Sequence, residues 1–399
     1  MNFHSNSGCD QADAAAPAGL TVRGLRVCEV VKTLDPGGAE VLLVERLLTA
    51  RRRIVNSAVD YTVICLRAST GELIERLRSA GVTVVDLSSC PRALVYARLA
   101  AMVRRFAPDV LNVHSPAPGI VLRPFVRLTR RRSVLVSTVH GIQWPKTMFL
   151  DRLTRRLDDR TVAVSPAVAQ SRAVAGCRRL LTRIHGVDVR NQREWAARAA
   201  DVRREFDVPE SAFLCVTIAN FRPEKNHRML VQAASEVVRA RPDAVFLLAG
   251  EGPLRDAVVR DVRERRLAGQ VRVLGRVSGA RRLIAAADLL VLSSHHEGLP
   301  VVVMEALAAG VPVVSTRVGG LPDLITSGRN GILTEPGSPG ALARAVLQAM
   351  EPRTHSELRA GALADGDGLD MVTTSEWFEE LYVDLAGRAG LGRGTLQPQ

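Results

Sequence analysis

Residues 288–316 read DLLVLSSHHEGLPVVVMEALAAGVPVVST. The two apolar runs in it, DLLVLSS (288–294) and VPVVST (311–316), are strand-like. Between them the Gly298-Leu299-Pro300 turn opens a helical pattern that carries Glu305 about one and a half turns in. Strand, helix and strand in so short a span make a parallel pair joined by a crossover, and Val/Leu-rich strands of this kind belong to a sheet covered on both faces.

The same alternation extends in both directions. FLCVTIAN (213–220), AVFLLAG (244–250) and VRVLG (271–275) precede the stretch, and GILTE (331–335) follows it. A charged helical segment at 191–206 separates this set from an earlier one: LRVCEVV (25–31), TVICL (62–66), VTVVDL (82–87), DVLNVH (109–114), SVLVSTVH (133–140) and TVAVS (161–165). The restart predicts an α/β chain of two doubly wound domains, at 21–200 and 201–370, rather than one long sheet. Residues 1–20, polar and Ala-rich without periodicity, are expected to be a disordered lead-in. At 371–390, Trp377, Phe378, Leu381, Tyr382 and Leu385 form the apolar stripe of an amphipathic helix that something must cover.

Composition bounds the function. With 47% hydrophobic and 24% charged residues in 399, collagen-like, disulfide-stapled and wholly disordered chains are excluded. No apolar run approaches the roughly 18 residues of a membrane-spanning helix, so a cytoplasmic location is expected. Six cysteines stand singly, which fits reduced, mostly buried thiols. The net charge of +13 is lopsided: residues 1–200 carry 31 Lys and Arg against 16 Asp and Glu, whereas the remainder is nearly balanced. A basic first half suits a phosphorylated or lipid-linked ligand or an anionic membrane surface. The segment VLRPFVRLTRRRS (121–133) mixes apolar and basic residues as an interfacial helix would, so peripheral attachment to the inner face of the membrane is a further expectation. Aromatic residues at 4%, with no recognition motif, speak against nucleic acid.

In open α/β sheets ligands lie beyond the carboxyl ends of the strands. After the first strand, Gly37-Gly38 precedes a helical pattern, which fits either a tight turn or an anion-binding loop. After the strand at 288–294, Glu297 stands in the loop and Glu305 on the helix, so two carboxylates can reach two hydroxyl-bearing parts of one ligand while the helix N-terminus takes its phosphate. Glu305 lies among small and apolar residues, where a charge needs a partner.

Several motifs in order then become recognisable: GGAE (37–40), VHG (139–141), AVSPAVA (163–169), HGVD (185–188), RPEKNH (222–227), LLAGEGPL (247–254), VLGRV (273–277), and EGLPVVVMEALAAGVPVV with VGGLPDLI. The chain resembles the family-4 retaining glycosyltransferases of the GT-B fold. The resemblance implies two facing Rossmann-like domains, a nucleoside-diphosphate sugar held mainly by the second, and a C-terminal helix that crosses back onto the first. It implies that Glu297 binds donor-sugar hydroxyls near the reacting centre, that Glu305 binds the ribose, and that Lys225 neutralises the diphosphate. Gly37 and Gly38 would close over the phosphates, and His140 would stand at the cleft floor near the anomeric carbon and the acceptor. Gly298, Leu299 and Pro300 would offer backbone amides, and Gly275, Arg276 and Val277 would lie near the nucleobase. Two positions depart from the pattern: Asn220 stands where an arginine is usual, with Arg222 as a shifted substitute, and His185 stands where asparagine is common. His185 and His114 are expected to be structural.

What the resemblance implies chemically is transfer of a hexose, with retention, to an acceptor hydroxyl of a glycan, lipid or small molecule, in cell-envelope or glycoconjugate biosynthesis. No metal or other cofactor is expected, and the leaving phosphate takes the acceptor proton, with Glu297 a stabiliser rather than a nucleophile. Two other readings stay open on sequence alone: a sugar-nucleotide epimerase of the same architecture, and a non-catalytic binding protein.

Overall fold

The computed structural model describes residues 24–53, 59–129, 132–141, 145–177 and 179–391. The expected lead-in at 1–20 lies outside them.

The first unit runs β1 (Leu25–Thr33), α1 (Gly38–Arg53), β2 (Val59–Arg67), α2 (Glu72–Ser79), β3 (Thr83–Asp86), α3 (Val95–Phe106), β4 (Val110–Val113), α4 (Pro116–Leu128), β5 (Val134–Val139), α5 (Pro145–Arg155), β6 (Arg160–Ala163), α6 (Pro166–Ala169) and β7 (Leu180–Thr182). Helices α7 (Val189–Ala196) and α8 (Ala199–Glu205) lead to the second unit. That unit holds β8 (Phe213–Ile218), a 3₁₀ turn (Pro223–Lys225), α9 (His227–Ala240), β9 (Ala244–Ala249), α10 (Arg255–Glu264), β10 (Val271–Gly275), α11 (Arg281–Ala285), β11 (Leu289–Leu292), α12 (Val301–Ala308), β12 (Val313–Thr316), α13 (Leu321–Leu324), β13 (Gly331–Thr334), α14 (Pro339–Met350), α15 (Pro352–Gly366) and α16 (Met371–Arg388).

The strands form two sheets, ordered β3-β2-β1-β4-β5-β6-β7 and β10-β9-β8-β11-β12-β13, and every pairing is parallel. Both faces of each sheet are covered, which is why the strands read as unbroken apolar runs: β4, β5, β9, β11 and β12 are buried at every position. The strand order reverses between β1 and β4 in one sheet and between β8 and β11 in the other. A crevice opens at such a reversal because the two crossovers run to opposite faces. Glu29 lies on β1 and His114 just past β4 at the first of them, and Lys225 and Glu297 follow β8 and β11 at the second.

α16 packs back on the first unit, where Phe378, Tyr382 and Leu385 share one core with Leu43, Leu47 and Val63. Of the stretch at 121–133, residues 121–128 belong to α4, which buries Leu122, Arg123 and Val126 and leaves Leu128 exposed. Arg123 lies in a closed ionic cluster, 2.7 Å from Asp151 and 2.9 Å from Asp158. The short β7 is the strand that the sequence pattern does not announce, because its three residues stand among charged neighbours. Cys28, Cys65 and Cys215 are buried free thiols, as expected of small apolar side chains on strands.

Candidate active site

The loops after β8 and β11 are tied to each other before any ligand is considered. Ser293 Oγ donates to the carbonyls of Lys225 and Asn226 at 2.9 and 3.0 Å, and the amide of His295 donates to the Glu224 carbonyl at 2.7 Å. These bonds pin the 3₁₀ turn against the loop ahead of α12. Lys225 Nζ thereby comes within 2.6 and 2.7 Å of the two carboxylate oxygens of Glu297, and Ser294 Oγ donates to the same carboxylate at 2.6 Å. The VGG turn closes the arrangement from below. A Cβ on Gly319, whose φ is +54°, would stand 1.8 Å from the Glu297 carbonyl, and the Gly320 amide donates to the Gly298 carbonyl at 3.0 Å. Only glycine fits there without displacing Glu297.

Glu305 is buried in α12, and its partner is Arg281, whose Nε lies 2.8 Å away. Burial pushes the Glu305 carboxyl up to about 7, against the pull of Arg281. Arg281 also donates to Glu45 of α1 at 2.9 Å, so one guanidinium links a carboxylate of each unit. Gly38 opens α1 directly opposite α12, where a Cβ would meet Val301 at 3.2 Å. The two units therefore approach each other at α12, and Gly37-Gly38 lies at that approach. At the end of β10, Gly275 has φ +72°, the Arg276 amide donates to Glu251 at 3.0 Å, and the Arg276 guanidinium stands 3.6 Å from Glu72 of the first unit. Arg222 is exposed at the start of the 3₁₀ turn, and among the described residues its side chain is not joined to Lys225 or Glu297.

Across the crevice, His140 follows β5, and a Cβ on Gly298 would lie 2.9 Å from its carbonyl. His140 lines a cavity of about 290 Å³ together with His114, Ser137, Thr138, Gly141 and Arg155. Burial holds the His140 imidazole well below its usual range, with the Arg46 guanidinium acting in the same direction, so that the ring is neutral. His185 packs edge-on between His140 and Phe378, and burial drives it down to about 3. His295 and His296 are exposed. Among the described residues no cluster of three or more His, Cys, Asp or Glu has the placement of a metal site.

Lys225, Glu297, the Gly298-Leu299-Pro300 turn, Glu305, Gly38 and His140 are thus assembled around one crevice. The motifs do not mark Arg281, Glu45, Ser294 or the buried Glu29 of β1. Glu29 leaves one trace in the sequence, a lone acid in the apolar run VCEVV.

Comparison with known proteins bears on what this crevice serves. Residues 36–200 match the sequence model described as Glycosyltransferase Family 4, and 212–352 match that of Glycosyl transferases group 1. The chain belongs to glycosyltransferase family 4. It is 28% identical over 264 residues to N-acetyl-alpha-D-glucosaminyl L-malate synthase of Bacillus anthracis, covering 64% of this chain and 68% of that protein. It is 27% identical over 321 residues to 2-deoxystreptamine glucosyltransferase of Streptomyces kanamyceticus, covering 74% and 83%. Among solved structures, that of Anabaena HepE in complex with UDP and glucose superposes with a TM-score of 0.79 at 21% identity, over 90% of this chain and all of the other. The two parallel sheets make this family-4 transferase a GT-B protein. The epimerase and non-catalytic readings are not favoured by these matches.

Proposed function

We propose that this glycosyltransferase moves a hexosyl unit from a nucleoside-diphosphate sugar to an acceptor hydroxyl, with retention of anomeric configuration. The observation that carries the reading is the Lys225–Glu297 pair at the head of α12. A diphosphate laid between the Gly37-Gly38 turn and the N-terminus of α12 meets a cation, free backbone amides and the positive end of a helix dipole together. Those groups stabilise the leaving nucleoside diphosphate as its charge develops, a role that needs no metal. Glu297, fixed by Lys225 and Ser294, accepts hydrogen bonds from sugar hydroxyls, and Glu305 accepts from the ribose. With its carboxylate engaged by those two donors, Glu297 serves as a stabiliser; the acceptor attacks from the face that the phosphate leaves, and the phosphate takes its proton.

The cavity beside His140 is the place for the acceptor, in the basic half of the chain. The relatives act on acceptors as different as L-malate and 2-deoxystreptamine by their names, so the acceptor itself must be found by screening. Assay with UDP-, GDP- and ADP-hexoses against hydroxylated acceptors, followed by proton NMR of the product, is expected to give acceptor-dependent release of one nucleoside diphosphate and an anomeric configuration equal to that of the donor. An inverted product, or sugar isomerisation without acceptor, contradicts the reading.

A membrane-facing acceptor is supported by α5 rather than by α4. Phe149, Leu150 and Leu153 are exposed there at 75%, 49% and 52%, next to the exposed Arg152 and Arg156. Apolar side chains flanked by arginines suit the headgroup region of an anionic bilayer. The protein is expected to co-sediment with phosphatidylglycerol vesicles at low salt and Phe149→Ser/Leu153→Ser to release it; sedimentation equal to that with neutral vesicles contradicts attachment.

A further inference from the structure

A carboxylate in the middle of a covered parallel strand has lost its water, and it is tolerated only if donors replace it. Glu29 of β1 is fully buried and is met from three other parts of the chain. Arg46 of α1 donates to Oε1 at 2.5 Å, the Tyr382 hydroxyl of α16 donates to the same oxygen at 3.0 Å, and His114, just past β4, places Nε2 2.7 Å from Oε2. Asn112 of β4 steadies the tyrosine from behind, 2.8 Å away. His114 then turns its other nitrogen to the crevice, where Nδ1 lies 2.9 Å from His140 Nε2 and the two rings stack at 5.2 Å.

Proton placement along this line follows from its buried end. Arg46 keeps Glu29 ionised, so Oε2 can only accept and His114 must carry its proton on Nε2. A neutral His114 then has a lone pair on Nδ1, which must receive the proton of His140 Nε2. A neutral His140 is left with its lone pair on Nδ1.

We infer that Glu29 and His114 are positioning residues that fix His140 in the Nε2–H form and so make its Nδ1 a hydrogen-bond acceptor for a ligand hydroxyl beside the reaction centre, distinct from the one whose proton goes to the phosphate. The inference rests on the transfer reading given above for His140 but concerns its orientation and tautomer alone. Arg46, His185 and Phe378 complete the surroundings: Arg46 faces Glu29, and His185 meets His140 edge-on with Phe378 behind it. Because Tyr382 and Phe378 come from α16, the helix that crosses back to the first unit also supports the histidine line. The arrangement parallels the way a buried carboxylate orients a functional imidazole through its far nitrogen.

Glu29→Gln tests this without changing shape. Arg46 and Tyr382 both donate to one position, so the amide oxygen settles there and the NH₂ group faces His114. The proton order then reverses along the line, and His140 presents an N–H to the crevice. With ¹⁵N-labelled histidine, the wild type is expected to show His140 protonated on Nε2 and bare on Nδ1, assigned by the signal lost in His140→Gln. Glu29→Gln is expected to invert the pattern and to lower kcat roughly 10- to 100-fold, with nucleoside-diphosphate affinity unchanged because the Lys225–Glu297 side is untouched. His114→Gln, which leaves the Glu29–Arg46 pair intact, serves as the second variant and is expected to lower kcat similarly and to free the His140 tautomer. A wild-type His140 bare on Nε2, or variants with unaltered ring signals and kcat, overturns the inference. The ring signals are read without substrate, so a failure of the transfer reading leaves this test intact.

Discussion

Lys225→Ala is expected to lower kcat/KM for sugar transfer by about 10²- to 10³-fold, the range for losing one preorganised group that meets developing charge. Two contributions combine. The leaving diphosphate loses the cation that would share its charge, and Glu297 loses the partner that fixes both of its oxygens at 2.6 and 2.7 Å. Ser294 alone then holds a carboxylate whose side chain is only 7% exposed. The lysine itself is a quarter exposed, so the fold should tolerate its loss far better than the reaction does. Steady-state kinetics beside thermal unfolding separates the two: a large drop in kcat/KM with a nearly constant Tm is the expected pair of results. Unchanged kcat/KM would remove Lys225 from the diphosphate site.

Arg46→Met is expected to act in the opposite way, chiefly on stability, by about 3–5 kcal/mol. Arg46 is fully buried, with its guanidinium 2.5 Å from Glu29 and 4.4 Å from the centre of the Phe378 ring. Methionine fills much of the volume but leaves the Glu29 charge without its cation. The pH dependence follows from the same pair. Burial alone would raise the Glu29 carboxyl, but Arg46 and the His114 hydrogen bond outweigh it and hold the group near 2, against its ordinary 4.5. The stabilisation is therefore fully present above about pH 4.5 and is lost as the pH falls towards 2. Urea titrations between those limits should show the wild type losing stability with acid, by about 3 kcal/mol from this group, and Arg46→Met losing much less. Parallel acid profiles would show that Arg46 does not hold the charge.

The strands and the loop ahead of α12 were legible because their signals are local. Val/Leu runs mark strands that are covered on both sides, Gly37, Gly38 and Glu297 follow strands within a few residues, and Glu305 stands on the helix that comes next. What stayed hidden depends on long-range pairing. Nothing near Glu29 points to Tyr382, 353 residues away, and nothing near Arg281 points to Glu45, 236 residues away. The stretch at 121–133 shows the same limit from the other side. Its arginines look like a solvated face, yet Arg123 is neutralised by Asp151 and Asp158, which lie 28 and 35 residues further along the chain. Glu305 was readable as a charge needing a partner, but which arginine answers it is fixed only when α11 packs beside α12.

The most direct measurement is calorimetric titration of the protein with UDP, GDP, ADP and dTDP, repeated on Lys225→Ala. A crevice built for a nucleoside-diphosphate sugar predicts preferential binding of one of the four and at least tenfold weaker binding to the variant. If none binds, or if the variant binds as the wild type does, the donor site is not where the Lys225–Glu297 pair places it.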